Sequence, residues 1–584
     1  MHSRHPTQKV MNFFRAFLVV GLLAATASNS FCQSLPTLDY SGRSDEKRSE
    51  PLERQAGSPP SGVTLPAPPL PLAESSKGPS RSILVRKIVV TGNTVFTPEE
   101  LGKVTAPYEN RTLTMEDLES LRREVTSLYV TAGYINSGAV IPDQGVTDGL
   151  LRLQVIQGKL NDITLQGTKW FRDSYLRDRI ELGVGVPLNI GPLQNSLQLL
   201  QQDQRFRSIH AELRPGAEPG ESRLSVRVEE KPPISIWTAF NNYQSSSIGA
   251  QRGLVTLTHQ NLTGHGDVLS FTYGYSKGLN PLIDTWYALP LNTHDTTVMF
   301  RYRKNDNTTV DKVFGPLDIV GKTDGYELNL RQPLYRSLRQ EFALSLSLEQ
   351  EFSDTYMGSE PYSFSLGPDN GHAVVVPLRL GMEWTHRTQQ QVIAARSRFS
   401  LGLNALGATH GGGGAVPDGQ FFAWLGQLQY TRILQPADIQ LLARIDIQCA
   451  TSPLLSVEQI AIGGRYTVRG YRENLMVRDQ ALITSLESRI PLLQNRPWAD
   501  YLQFCQFLDY GQGSNLEQPT AAPTDLSSIG LGLRWGAGLL RLPFELKAEA
   551  EIYWGYQLRH LDYYRYEGVQ DNGVHYQIAV TGFF

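Results

Sequence analysis

From about residue 234 to the end of the chain, apolar and polar residues alternate with a period of two, and this pattern restricts the fold more than any other feature. In the sharpest run, every second residue from Phe544 to Trp554 is apolar, and the first four residues between them are charged: Glu545, Lys547, Glu549 and Glu551. A period of two is typical of a β-strand whose two faces meet different surroundings. Residues 234–584 are therefore predicted to form an all-β domain.

The length of these runs favours a membrane barrel over a soluble β-sandwich. Many of them reach the roughly 9–11 residues that a tilted membrane strand needs, above the about 5–6 residues typical of soluble sheets. About 16 such segments can be placed, an even number as in bacterial barrels, and their charged faces suit a water-filled lumen. The last run ends at Phe584 with an aromatic residue, as expected of the strand that closes a barrel. We therefore predict about 16 antiparallel transmembrane strands.

The first 82 residues are predicted to be a signal peptide followed by a linker. Arg4, Lys9 and Arg15 form a positively charged n-region, and an apolar run that extends to Ala25 follows it. Ala25-Thr26-Ala27 is a small-x-small cleavage site. Residues 1–27 are thus expected to be removed on export. Residues 28–82 are rich in proline, serine and glycine, which indicates an extended periplasmic segment.

Residues 83–233 contain an internal repeat. Ile88-x-Val90-x-Gly92 recurs as Ile163-x-Leu165-x-Gly167 after 75 residues, and at the same offset Leu151 and Leu153 fall on Val226 and Val228. Each copy has the pattern strand, helix, helix, strand, strand. We therefore predict two copies of one α+β domain, at 83–158 and 159–233.

Helix signals support this arrangement in both copies. Thr114 with Asp117 forms a capping pair before an apolar face made of Met115, Leu118, Leu121, Val125 and Leu128. In the second copy Pro192 suits a first helical turn. The residues expected to face the second core are Leu193, Leu197 and Leu200.

Two such units before a barrel resemble the polypeptide-transport-associated (POTRA) domains and barrel of the TpsB translocators of two-partner secretion, the hemolysin and filamentous-hemagglutinin exporters. The resemblance covers roughly residues 83–584. Its most specific motif is Val468-Arg469-Gly470-Tyr471, preceded by Gly463-Gly464, and a second is Phe507-x-Asp509-x-Gly511. In the family the first motif lies at the tip of a loop folded into the barrel, and the aspartate of the second faces the lumen.

The chemistry of Arg469 and Asp509 suits a salt bridge between that loop and the barrel wall. An arginine presents a planar fork of donors that matches a carboxylate in two bonds. Gly470 and Gly511 permit close backbone approach. From spacing alone, a simpler interpretation stays open, in which Arg469 is an ordinary loop residue and Asp509 is a hydrated charge of the lumen.

The resemblance implies an outer-membrane protein of a Gram-negative bacterium that binds an unfolded partner exoprotein in the periplasm and secretes it through the barrel, with or without activation of the cargo. The expected partners are that extended exoprotein, outer-membrane lipid and the barrel-assembly machinery that inserts the chain, which is expected to be a monomer. An extended cargo segment would add as a strand to a sheet edge. In the family's topology the second strand of each unit is outermost in its sheet. The edge expected to bind the cargo in the second unit is therefore Ser208, Ile209, His210, Ala211, Glu212 and Leu213.

No enzyme, cofactor or metal site is predicted, because the histidines and cysteines show no metal-ligand spacing and Gly321-Lys322-Thr323 lacks the first glycine of a phosphate-binding loop, whose position is taken by Pro316. A net charge of −3 gives no reason to expect nucleic acid as a partner. The main alternative is an insertase that assembles other barrels in the outer membrane. A passive porin would not explain two repeated domains. Some family members carry a helix that plugs the barrel, and the candidate at 45–55 contains Pro51 and lacks a clear apolar face.

Overall fold

The computed structural model describes residues 82–584, apart from 147, 313, 412–414, 541–543, 560 and 562–567. The expected signal peptide, the proline-rich segment and the candidate plug helix at 45–55 lie outside the described residues. Within the described ranges, no helix is both long enough and apolar enough to span a membrane.

The first α+β unit contains a three-stranded sheet, a small two-stranded sheet and two helices. Its elements are β1 (Ile83–Val85), β2 (Lys87–Thr91), α1 (Pro98–Thr105), β3 (Arg111–Leu113), α2 (Met115–Thr131), β4 (Gly138–Val140) and β5 (Leu150–Ile156). The sheet order is β2-β5-β4, with β2 and β5 parallel, and β1 pairs with β3. The β1–β3 pair was not predicted, because three-residue strands show no period.

Side-chain caps begin both helices of this unit. Thr97 with Glu100, and Thr114 with Asp117, form reciprocal capping boxes that satisfy backbone N–H groups of the first helical turn. The predicted core face of α2 needs correction at both ends. Met115 is 65% exposed, because it lies in the first turn beyond the edge of the sheet-facing stripe. At the other end Leu128 is only partly buried, and its neighbour Tyr129 is the core residue.

The second unit has the predicted order of elements. They are β6 (Lys159–Gln166), α3 (Asp173–Glu181), α4 (Ile190–Gln201), β7 (Phe206–Pro215) and β8 (Glu221–Glu230). The sheet order is β6-β8-β7, so β8 is central and β7 lies at an edge. The predicted residues of α4, Leu193, Leu197 and Leu200, are all buried in the core of this unit.

The two copies do not align at a single offset. Ile88 pairs with Leu151 in the first unit, whereas Ile163 pairs with Leu224 in the second. The closing strands therefore correspond at an offset of 73 (224 − 151), so Leu151 is equivalent to Leu224 and not to Val226. The predicted match was wrong by two residues, which is one full period of a strand and leaves the same face apolar.

Residues 234–584 close into an antiparallel barrel. Its sixteen strands of eight or more residues are β9 (Ile234–Asn241), β10 (Arg252–His259), β11 (Val268–Ser276), β12 (Leu279–Pro290), β13 (Thr297–Thr308), β14 (Ile319–Arg336), β15 (Gln340–Met357), β18 (Pro377–Arg387), β19 (Gln391–Gly402), β20 (Phe422–Leu434), β21 (Ile439–Ala450), β24 (Gln480–Arg496), β25 (Ala499–Ser514), β26 (Asp525–Leu540), β27 (Glu545–Gln557) and β28 (Val574–Phe583). Four short strands complete the set: β16 (Glu360–Pro361), β17 (His372–Val375), β22 (Ile460–Ile462) and β23 (Met476–Arg478).

The barrel closes where β28 pairs with β9, from Gln577 opposite Asn241 to Phe583 opposite Ser235. Outward-facing residues of β27 are apolar and about half exposed, as Ile552 and Trp554 are, whereas Tyr553 between them is fully buried in the interior. The closed barrel after two α+β units confirms the predicted fold class. We call the end of the barrel at which β9 begins and β28 finishes its proximal end.

Candidate functional site

The connection between β21 and β24, residues 451–479, starts at the distal end of the barrel and folds into the lumen. Its short strands β22 and β23 pair through Ile460–Arg478 and Ile462–Met476, which turns residues 463–475 into a hairpin tip. Val468 and Tyr471 of the tip are completely buried and pack with inward-facing residues of the wall strands. We call residues 463–475 the loop tip.

Arg469 is the most heavily bonded residue of the loop tip. Its Nε lies 2.7 Å from Asp509 Oδ2 and its second terminal nitrogen 2.8 Å from Oδ1, so the guanidinium grips the carboxylate with two bonds. The backbone N–H of Arg469 also donates to Asp509, at 3.0 Å. The remaining terminal nitrogen donates to Glu487 of β24, and the guanidinium lies 3.7 Å above the ring of Phe507.

Both members of this pair are almost inaccessible to water, with Arg469 3% and Asp509 1% exposed. Ser485 completes the arrangement, because its hydroxyl donates to Asp509 at 2.6 Å and accepts from Arg469 at 3.1 Å. In so dry a position two opposite charges interact strongly, and an unpaired charge would be costly. The geometry brings together the two residues that the sequence motifs singled out.

Glu487 extends the pair into a cluster that was not predicted. It accepts a hydrogen bond from Arg489 Nε at 2.6 Å and one from the Tyr553 hydroxyl at 3.2 Å, in addition to Arg469. Ser485, Glu487 and Arg489 occupy alternate positions of β24 and therefore face the same side. The alternation of that strand could have placed them in the lumen, but not beside Arg469.

A second anchor joins Arg465 of the loop tip to Glu551 of β27. Two guanidinium nitrogens of Arg465 lie 3.0 Å from the two carboxylate oxygens. Glu551 also accepts from the Tyr243 hydroxyl at 2.7 Å and from Arg534 of β26 at 3.3 Å. We call these four side chains the Glu551 cluster.

Backbone contacts hold the remainder of the motif. Gly470 has φ +93°, and a Cβ at this position would lie 2.8 Å from the carbonyl oxygen of Gly555 in β27. Only glycine combines that conformation with so close an approach. A Cβ at Gly511 would lie 2.6 Å from the side chain of Ile462. The Gly470 carbonyl accepts from Gln557 at 2.7 Å, and the Tyr471 carbonyl lies 3.2 Å from His575 Nε2.

The opposite side of the lumen is less filled. A cavity of about 280 Å³ separates the β22–β23 hairpin from the wall formed by β12 to β15. Its lining is mixed, with Arg303, Lys304 and Glu351 on the wall and Ser456 and Gln459 on the loop. The loop tip is thus attached to one wall and leaves a cavity beside the other.

The candidate cargo edge, Ser208 to Leu213, lies on β7. In the part of the chain that the structure describes, β7 pairs with β8 alone, through Ile209 opposite Val228 and Leu213 opposite Leu224. The side chains of Ile209 and Leu213 are buried, and those of His210 and Glu212 are exposed. The outer edge of β7 is therefore available to a further strand.

The second α+β unit is attached to two turns at the proximal end of the barrel. Arg205 donates to the carbonyl of Gly266 at 2.5 Å, and Arg179 lies 2.6 Å from Asp295. Asp203 holds Arg205 in place with bonds from Nε at 2.9 and 3.0 Å. Burial by itself raises the pKa of Asp203, but the Arg205 guanidinium outweighs it and leaves that pKa below its usual value.

Comparison with known proteins gives two family matches and several relatives. The family described as haemolysin secretion/activation protein ShlB/FhaC/HecB matches residues 220–535, and the POTRA domain of ShlB type matches 83–158. The outer membrane transporter CdiB of Dickeya dadantii is 23% identical over 69% of this chain and 71% of its own length. The hemolysin transporter protein ShlB of Serratia marcescens is 25% identical over 70% of this chain and 72% of its own.

A solved structure has the same fold. CdiB from Escherichia coli superposes with a TM-score of 0.63 at 21% identity, over 87% of this chain and 92% of that one. The family matches confirm the resemblance that the sequence motifs indicated.

Proposed function

The chain belongs to the haemolysin secretion/activation protein family ShlB/FhaC/HecB, and from that premise we propose that it carries an extended partner exoprotein across the outer membrane. The two α+β units lie in the periplasm and the barrel spans the membrane. The observation that carries the proposal is the loop tip, which is held against one wall by buried charges while a cavity remains beside the other.

Transport through such a barrel requires the lumen to open and close without unfolding the wall. The loop tip is suited to this role, because each of the anchors described above uses at least one side chain, whereas the β-ladder of the wall is made of backbone hydrogen bonds. Movement of the loop tip toward or away from β25 and β27 would change the open cross-section. Folding of the partner outside the cell would then draw the rest of the partner through the lumen.

Loss of the protein distinguishes export from barrel assembly. In a strain that lacks the gene, we expect one large secreted protein to disappear from the culture supernatant while the other outer-membrane barrels keep their abundance. The measurement is a comparison of both fractions by mass spectrometry with a complemented strain. A general loss of barrels from the membrane would instead support the insertase alternative.

For recognition, we propose that a segment of the partner adds as a strand to the outer edge of β7. Adjacent residues of a strand direct their N–H groups to opposite sides, so one of His210 and Ala211 donates toward β8 and the other toward the free edge. Proline removes the donor at either position. These two neighbours are a pair for a test, since His210 is exposed and Ala211 adds only a small, partly buried side chain to the core, whereas Ile209 is fully buried.

His210→Pro and Ala211→Pro are expected to differ in a defined way. One variant should lower the thermal stability of the unit, and the other should keep it but bind the partner about two- to tenfold more weakly, since one hydrogen bond contributes about 0.5–1.5 kcal/mol. Titration calorimetry with the partner's N-terminal region measures the affinity. Unchanged affinity in the variant that keeps its stability would exclude this edge.

We also propose that the protein acts as a monomer surrounded by outer-membrane lipid and that the barrel-assembly machinery inserts it. The aromatic and aliphatic residues on the outside of the strands support the lipid contact, since Phe271, Tyr273 and Ile552 are each at least 40% exposed. Light scattering of the detergent-solubilised chain tests the monomer.

A further inference from the structure

The loop between β6 and α3 exposes an aromatic residue between two basic residues. Lys169, Trp170 and Arg172 are exposed, whereas Phe171 points into the core of the second unit. The indole of Trp170 is 51% exposed, although tryptophan is among the side chains with most apolar area to bury. We call Lys169, Trp170 and Arg172 the basic-aromatic loop.

The backbone of this loop is fixed. The carboxylate of Glu230, at the end of β8, accepts hydrogen bonds from the N–H groups of Lys169 at 3.0 Å, Trp170 at 2.7 Å and Phe171 at 3.3 Å. One charged acceptor thus holds three consecutive donors. The exposure of Trp170 is therefore a property of an ordered loop.

The loop lies at the level of the proximal end of the barrel. The N–H of Arg172 donates to the carbonyl of Gly264 at 3.0 Å, and Gly264 belongs to the turn between β10 and β11. Glu230 precedes the first barrel residue, Ile234, by only four positions. The same turn exposes an apolar side chain, since Leu262 is 53% exposed.

We propose that the basic-aromatic loop binds phospholipid of the periplasmic leaflet. Tryptophan prefers the boundary between headgroups and acyl chains, where its ring is apolar and its N–H can stay hydrated. Lysine and arginine beside it attract lipid phosphate groups. The occupant is lipid because the loop is hydrogen-bonded to a turn of a barrel that stands in the bilayer, and that turn itself exposes Leu262.

This contact would fix the second unit relative to the plane of the membrane. Arg205 and Arg179 already attach the unit to two turns of the barrel, on the side of α3 and β7. A third attachment to lipid resists tilting about the line that joins those two contacts. The outer edge of β7 would then keep a constant direction while a partner segment is bound.

Quenching of tryptophan fluorescence tests the proposal on the full chain in bilayers that contain brominated phospholipid. The signal of Trp170 is obtained as the difference between the wild type and Trp170→Phe, which keeps an aromatic ring at an exposed site. We expect brominated lipid to remove most of this difference signal. Trp498, in the proximal turn between β24 and β25 and 58% exposed, supplies the reference for a rim residue through Trp498→Phe.

Val186→Trp provides the matched control for a residue in water. Val186 is 80% exposed in the same unit, in the connection between α3 and α4. Its added signal is expected to be quenched by acrylamide and not by brominated lipid. The proposal is overturned if Trp170 behaves like Trp at 186, or if its emission changes only when the partner protein is added, since the occupant would then be protein.

Charge reversal tests the contribution of the two basic residues separately from that of Trp170. Lys169→Glu with Arg172→Glu leaves the backbone bonds to Glu230 and Gly264 in place, because these use N–H groups. We expect lipid quenching of Trp170 to fall in bilayers rich in phosphatidylglycerol and to recover at high salt, which screens the repulsion. Quenching that is unaffected by this double variant would contradict a role for the basic residues.

Discussion

Replacement of Arg469 by alanine is expected to cut secretion of the partner sharply while the barrel remains in the membrane. The variant leaves Asp509 and Glu487 as two buried carboxylates without the guanidinium that they share. Removal of one member of a buried ion pair costs on the order of 3–5 kcal/mol. This cost falls on the docking of the loop tip, because the ladder of the wall does not include Arg469.

The measurement is secreted partner per unit of barrel, with heat-modifiable mobility on gels as the check that the barrel is folded. Arg469→Lys is the matched control, since it keeps the charge but cannot bond Asp509 with a fork and reach Glu487 as well. We expect it to retain part of the activity. Normal secretion by Arg469→Ala would show that the pair does not hold the working state.

Because Arg469 also bonds Glu487, the Arg469→Ala and Asp509→Ala variants are expected to have unequal effects. Asp509→Ala leaves Arg469 with Glu487 and Ser485, so we expect a smaller defect than that of Arg469→Ala. The double variant removes one of the two stranded carboxylates, while Glu487 keeps its bond from Arg489. It should therefore be milder than Arg469→Ala alone, whereas simple addition of the two single effects would refute the shared cluster.

Glu551→Gln is expected to release the loop tip at its second anchor and to make the outer membrane leaky. The change leaves two buried arginines, Arg465 and Arg534, without the carboxylate between them. The expected cost is again on the order of 3–5 kcal/mol, because all three charged side chains are largely buried. When the loop tip is displaced, the space that it occupied adds to the neighbouring cavity and widens the pore.

Single-channel conductance in planar bilayers measures that opening, and sensitivity of the cells to large antibiotics reports it in vivo. Glu545→Gln is the control on the same strand. Glu545 pairs with Lys547 at 3.1 Å near the proximal end, where both side chains are 35% exposed, so its loss should cost at most about 1 kcal/mol. Equal conductance of the two variants would argue against a gating role for the Glu551 cluster.

Local pattern was sufficient for much of the fold. The period of two runs through the long strands, apart from bulges such as the one between Pro333 and Tyr335, because each strand has one face toward lipid and one toward the lumen. The capping pair at Thr114 predicted where α2 begins. The equivalence of Leu151 with Val226 failed because a shortened connection in the second unit shifts its closing strand by two residues. Such a deletion leaves no trace in a pattern whose period is also two.

The site was only partly accessible from sequence. Arg469 and Asp509 belong to recognisable motifs, so their meeting was predicted as a hypothesis. Glu487 and Glu551 are ordinary alternating charges, and nothing along one strand says which charge of another element lies opposite. That information is in the register of the barrel and the path of residues 451–479, both of which are long-range properties.

The Glu551 cluster also sets an order of events in the biogenesis of the protein. Tyr243, which follows the first barrel strand, and Glu551, in the penultimate one, are 308 residues apart in sequence and 2.7 Å apart in space. Contacts of such long range form late, after the intervening chain is ordered. The cluster is complete only when the two ends of the barrel sheet have met, so Arg465 finds its full binding site last. In a nascent barrel the second anchor of the loop tip would therefore be complete only after the wall has closed.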